Sequence, residues 1–97
     1  AGREEILGAM RGKLVPAMTE FRPQAVFVSA GFDGHRDDPI GGLKLSDSDF
    51  ADITRLCLEL SDTHAECKLI SVLEGGYNLR GLVSAVAAHV EVLIGKA

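Results

Sequence analysis

Apolar residues follow two patterns along the chain: helical spacing in three segments, and unbroken runs in two short ones. From Glu4 to Phe21, the residues Leu7, Met10, Leu14, Ala17 and Met18 recur at steps of three and four, which predicts one face of an amphipathic helix. Glu4 and Glu5 lie in its first turn, where the helix dipole favours negative charge. Pro16 falls inside the pattern and should kink the helix or split off its last turn. Pro23 then imposes an extended approach to the next segment. Ala25 to Ala30 (Ala-Val-Phe-Val-Ser-Ala) and Lys68 to Leu73 (Lys-Leu-Ile-Ser-Val-Leu) do not alternate. Such runs predict strands buried on both faces, as in a parallel sheet covered by helices. The segment from Phe32 to Ser46, rich in Gly, Asp and Pro, reads as a loop. Ser46, followed by Asp47 and Asp49, is an N-cap for a helix whose stripe is Phe50, Ile53, Leu56, Cys57 and Leu60. That helix should fade near Asp62 or Thr63. Asn78 is placed to cap a last helix carrying Leu82, Val83, Val86, Val90, Leu93 and Ile94, with Gly95 as its stop.

The order helix, strand, helix, strand, helix predicts an α/β fold with a right-handed parallel crossover. The expected architecture is part of a three-layer α/β/α parallel sheet, with residues 1–97 forming a single domain. Two strands and three helices cannot hide both faces and both edges of such a sheet. Further strands are therefore expected from a missing part of the chain or from other copies of it. Ligands of open α/β sheets bind beyond the carboxyl ends of the strands. Both strands end there at a glycine followed by a reactive polar residue: Gly31 then Asp33, and Gly75-Gly76 then Tyr77.

Composition narrows the chemistry. The net charge of −4 argues against nucleic acid and other phosphate-bearing partners, which call for a basic stripe. No apolar run approaches the ~20 residues needed to cross a bilayer, and no secretory signal is visible. The chain does not begin with Met, so its start is expected to be processed or cut from something longer. Cys57 and Cys67 read as buried thiols of a reducing, cytoplasmic environment.

Asp33 is a candidate metal ligand or base, and its bland alternative is a solvated loop aspartate. Tyr77 is a candidate hydrogen-bond donor, and its alternative is a packing residue with a local partner. Asp33-Gly34-His35 spells aspartate-x-histidine, but loop hydrogen bonding is the expected role of His35. Asp37 and Asp38 are expected to cap the turn or helix, since Asp-Pro commonly starts a turn. His64 is expected at a helix end on the surface, and His89 as a half-buried structural residue. Glu74 is expected to hydrogen-bond within its turn. Met10 and Met18 are expected to fill the core.

Several segments together resemble the C-terminal portion of the histone deacetylase superfamily, the zinc-dependent deacetylases with an arginase-like fold. They are Ala25-Val-Phe-Val-Ser-Ala-Gly-Phe-Asp33, Asp38-Pro-Ile-Gly-Gly42 running into Leu45-Ser46, Leu73-Glu-Gly-Gly-Tyr-Asn-Leu79, and Ser84-Ala-Val-Ala-Ala-His-Val90. The Gly-Phe-Asp and Gly-Gly-Tyr forms look closer to the class II and bacterial deacetylase-like branches than to class I. The likeness extends over nearly the whole chain and is weakest before about Val15.

The resemblance implies that Asp33 is a zinc ligand and that Tyr77 is the catalytic tyrosine that hydrogen-bonds the acetyl carbonyl. It places Ile40 near the mouth of the acyl-lysine channel. Gly75 and Gly76, on the substrate side, would let the backbone bend and bring the phenol inward. The implied reaction is hydrolysis of an N-acetyl amide, on acetyl-lysine or an acetylated amine such as an acetylpolyamine. The family's other two zinc ligands come from an upstream aspartate-x-histidine pair, and its base from two adjacent histidines. This chain has His35, His64 and His89 and no adjacent pair. The expectation is a fragment or truncated relative that binds no zinc alone and is inactive alone. It would work with a complementing polypeptide as a split enzyme, or persist as a non-catalytic homo-oligomeric module.

Overall fold

The computed structural model describes residues 2–39, 41–65 and 68–95. The first helical segment is not uniform. Helix α1 (Arg3–Ala9) runs into a wider π turn over Met10–Leu14, and α2 (Val15–Phe21) completes it. The N–H of Val15 reaches back to the carbonyl of Met10, five residues away. Pro16 accounts for this. It has no N–H to continue the α pattern, and its ring crowds the carbonyl four residues earlier, so the preceding turn widens. Within α1, the π turn and α2, Leu7 alone is buried. Met10 and Met18 are half-buried rather than core residues.

Strand β1 (Val26–Ala30) and strand β2 (Leu69–Leu73) pair in parallel, with Val26 opposite Leu69 and Ala30 opposite Leu73. Helix α3 (Asp47–His64) connects them on one side of the sheet, and α4 (Leu79–Leu93) follows β2 and packs along α3. Both helices start where their caps direct. The hydroxyl of Ser46 accepts from Asp49 N–H, while the Asp49 carboxylate accepts from Ser46 N–H. Asn78 Oδ1 accepts from Gly81 N–H at 2.8 Å. Arg3 bridges Asp49 and Asp52, tying α1 to the first turns of α3.

The core lies between the helices and one face of the sheet. Ala30, Phe32, Leu45, Phe50 and Ala85 form its centre, with Val28, Leu43, Ile53, Leu82 and Val86 around it. The expected parallel α/β arrangement is present, but the expected burial of both strand faces is not. Val26, Val28 and Ala30 point toward the helices, whereas Phe27, Ile70 and Val72 are 70%, 51% and 52% exposed on the other face. The cause is a shortage of covering polypeptide. The core contacts between helices and strands fall on the Val28 and Ser71 side. No helix of the described residues is long and apolar enough to cross a membrane.

His89 is buried where three elements meet. Its ring packs edge-on to Phe32, with centroids 5.5 Å apart. The Thr54 hydroxyl donates to the Phe50 carbonyl, so it accepts from His89 Nδ1–H at 2.7 Å. Nε2 then accepts from the Ser71 hydroxyl at 2.8 Å. The neutral ring thus joins α3, α4 and β2 with both nitrogens satisfied. Burial pushes the His89 pKa below its ordinary value. The unfolded chain therefore takes up this proton at higher pH than the folded one. The resulting stability is complete above the ordinary histidine pKa of about 6.5 and is lost as pH falls below it toward the lowered folded value. Urea midpoints should accordingly be lower at about pH 5.5 than at about pH 7.5. His89→Gln should narrow that gap while costing about 1–3 kcal/mol at the higher pH. A gap unchanged by the substitution would contradict this role.

Candidate active site

Pairing between the strands does not stop where the strands do. Glu74 N–H donates to the Ala30 carbonyl at 3.0 Å, and Phe32 N–H donates to the Gly75 carbonyl at 2.7 Å. These two hydrogen bonds carry the ladder beyond both carboxyl ends. Asp33 follows Phe32 directly and Tyr77 follows Gly75 by two residues, so both emerge on one rim. They are 44 positions apart in the chain. The parallel crossover closes that separation.

Gly75 marks the point where the two side chains converge. A Cβ on Gly75 would lie 3.2 Å from the Asp33 carboxylate and 3.4 Å from the Tyr77 hydroxyl oxygen. The carboxylate and the phenol therefore flank one small space that any larger residue at 75 would fill. Gly76 has φ of 149°, and a Cβ there would come within 2.6 Å of Leu82. This turn needs both glycines for different reasons, one for room above the rim and one for its backbone conformation. Asp33 is half-buried, and Tyr77 is 55% exposed. Of the residues singled out from sequence, Asp33, Gly75, Gly76 and Tyr77 come together. Ile40 lies outside the described residues, as does Cys67.

The loop between the strands and α3 is fixed at two further points. Asp38, expected only to cap the turn, does so by accepting from Gly41 N–H at 3.1 Å. Its other oxygen accepts from Tyr77 N–H at 2.6 Å, across 39 positions of sequence. His35, expected to make loop hydrogen bonds, is buried at 3% exposure and does more than that. Its Nδ1 accepts from Asp37 N–H at 3.1 Å, so its Nε2–H donates to Asp47 at 2.9 Å. The same Asp47 oxygen accepts from the Ser84 hydroxyl at 2.9 Å. The ring also lies parallel to Phe50, with centroids 6.3 Å apart. His35 is therefore committed to joining the loop, α3 and α4. Sequence offered no signal for these long-range partners beyond the polar character of the residues.

Metal chemistry needs more than this rim contains. Among the described residues, no three His, Cys, Asp or Glu side chains group so as to hold a metal ion. A catalytic zinc takes three protein ligands and an open position, and Asp33 offers one. These residues alone do not fit a zinc site. Beside Asp33, a hollow of about 250 Å³ opens between β1 and α3, walled by Val28, Phe32, Leu43, Phe50 and Cys57. Its walls are core side chains, and Tyr77 is not among them. It is a gap in the packing beneath the rim rather than a pocket between the two polar groups. Burial raises the pKa of the Cys57 thiol, which keeps it protonated and inert.

Comparison with known proteins identifies the family and the fold. The model of the histone deacetylase domain matches residues 1–93. The chain is similar to a type-2 histone deacetylase of Dictyostelium discoideum, at 38% identity over 96% of this chain and 6% of that protein. It is equally similar to the polyamine deacetylase HDAC10 of Mus musculus, at 38% identity over 97% of this chain and 14% of that one. The crystal structure of the HDA15 HD domain superposes with a TM-score of 0.89 at 30% identity, over 99% of this chain and 26% of that one. The chain thus spans a small part of each relative it matches. With a family match over nearly its whole length and the fold shared with solved members, the chain belongs to the histone deacetylase family.

Proposed function

We propose that this chain forms one side of the catalytic centre of a zinc-dependent N-acetyl amide hydrolase. The observation that carries the reading is the convergence of the Asp33 carboxylate and the Tyr77 hydroxyl on the space above Gly75. Asp33 contributes one oxygen ligand, and the remaining ligands come from polypeptide outside these residues. A zinc ion held by Asp33 together with those outside ligands would supply Lewis-acid chemistry. Tyr77 donates its hydroxyl proton in a hydrogen bond to the acyl oxygen, where negative charge builds during hydrolysis. Gly75 leaves room for the acyl group between the two side chains. The substrate is an acetylated lysine, with acetylated polyamines as the alternative amine. The half-buried, free Cys57 suits a reducing compartment such as the cytoplasm.

On this reading the chain alone is inactive, because among the described residues no further metal ligands group with Asp33. Its partner is the rest of a deacetylase domain, packed on the bare face of Phe27, Ile70 and Val72 and on the open strand edges. The apolar character of that face supports a covering partner. The same face supports a second reading, in which the chain is a non-catalytic module that pairs with copies of itself.

Release of acetate from an acetyl-lysine peptide, with zinc added, tests the first reading. The chain alone should give no turnover, and mixing it with the upstream part of a deacetylase domain should restore it. In that mixture Tyr77→Phe should lower kcat by about 10²–10³-fold. Gly75→Ala should also lower it, with the circular dichroism spectrum unchanged. Turnover by the chain alone, or a mixture indifferent to Tyr77→Phe, would overturn the proposal. Sedimentation separates the two readings. A dimer that persists when the upstream polypeptide is added, without turnover, would favour the self-associating module.

A further inference from the structure

The loop that carries Asp33 also holds the backbone of Tyr77, and nothing in the chemistry of the rim requires one loop to do both. We propose that Asp38 is a positioning residue: by accepting the Tyr77 N–H, it fixes the phenol opposite Asp33, with His35 anchoring the loop between them. This rests on the reading of Tyr77 as donor to the acyl oxygen.

Three observations support it. Asp38 is 9% exposed, and its two carboxylate oxygens are divided between two separate turns of the chain. Oδ1 accepts from Gly41 N–H within its own loop, and Oδ2 accepts from Tyr77 N–H in the turn after β2. A buried carboxyl group that accepts from backbone donors in both turns ties them together directionally, and the contact to Tyr77 is 2.6 Å. Second, Tyr77 has little else to hold it. The residue is 55% exposed, so packing holds it only in part. The backbone at 77 is the lever by which the phenol can be aimed, and Asn78, the next residue, is already committed to capping α4. Third, the loop cannot drift, because His35 is pinned between Asp37 and Asp47 and lies against the first turn of α4. A Cβ on Gly81 would come within 2.8 Å of its ring. Asp33, His35 and Asp38 thus make a short brace. One end presents a carboxylate to the rim, the middle is locked to α3 and α4, and the far end holds the tyrosine.

The brace makes a prediction that a general loss of stability does not. Asn at 38 keeps the size of the side chain but has one carbonyl oxygen for two N–H donors. In Asp38→Asn, hydrogen exchange at the Tyr77 amide should therefore quicken by roughly tenfold or more. Amides of the β1–β2 ladder, such as Val28 and Ser71, should keep their protection. Exchange that rises equally at all these amides would mean Asp38 is only structural and would overturn the proposal, as would unchanged exchange at Tyr77. In the unsubstituted chain, a scalar coupling across the hydrogen bond, from the Tyr77 amide nitrogen to the Asp38 carboxyl carbon, should be detectable. Its absence would overturn the proposal even if the variant failed to fold. In the complemented enzyme, Asp38→Asn should lower kcat about tenfold to a hundredfold, with KM within about twofold. An unaltered kcat would contradict the functional half. Should the complemented enzyme show no turnover at all, the deacetylase reading fails, while the exchange measurement still decides whether Asp38 holds Tyr77.

Discussion

Two backbone hydrogen bonds beyond the ends of the strands, from Glu74 N–H to Ala30 and from Phe32 N–H to Gly75, determine where the chemistry of this chain can occur. They continue a parallel ladder into what would otherwise be two independent loops. A parallel register places both carboxyl ends on one edge of the sheet. The extra bonds then bring Asp33 and Gly75 within contact. An antiparallel pairing of the same strands would have put the two turns at opposite ends of the molecule. The remaining rim interactions, Asp38 to Tyr77 and His35 to Asp47, become possible only after the ladder has brought their elements together.

The helices serve this edge by holding one face of the sheet flat against a core. Phe32 sits at the junction, its ring tilted against Phe50 and meeting His89 edge-on. It donates its backbone N–H to the ladder and buries its side chain in the core, so the residue before Asp33 is fixed in both directions. His89, bonded to Thr54 and Ser71, links the helices to β2 from the same side. The other face has no such cover. Phe27, Ile70 and Val72 stand exposed there. This agrees with a chain that spans about a quarter of the solved domain it superposes on.

Much of this was legible in the sequence, because local rules govern it. Ser46 and Asn78 announced their caps, the two unbroken apolar runs announced parallel strands, and Pro16 announced a break in the first helix. The meeting of Asp33 and Tyr77 followed from topology once the strands were taken as parallel. Other features depend on distance in sequence and left no local trace. Asp38-Pro39 reads as a turn whether or not its second oxygen reaches Tyr77. His35 reads as a loop histidine whether or not Asp47 waits for it. An apolar run such as Val-Phe-Val-Ser-Ala reports that both faces of a strand are suited to burial. It does not report whether these residues provide the cover, which is why Phe27 is open here.

The central claim is that Asp33 and Tyr77 face a shared space above Gly75. Nuclear Overhauser contacts in the 97-residue chain test it most directly, since Tyr77 is its one tyrosine and its ring signals are unambiguous. The account predicts contacts from the Gly75 α-protons both to the Tyr77 ring and to the Asp33 β-protons. Contacts to one of these partners without the other, or cross-strand contacts of antiparallel type between residues 26–30 and 69–73, would contradict it.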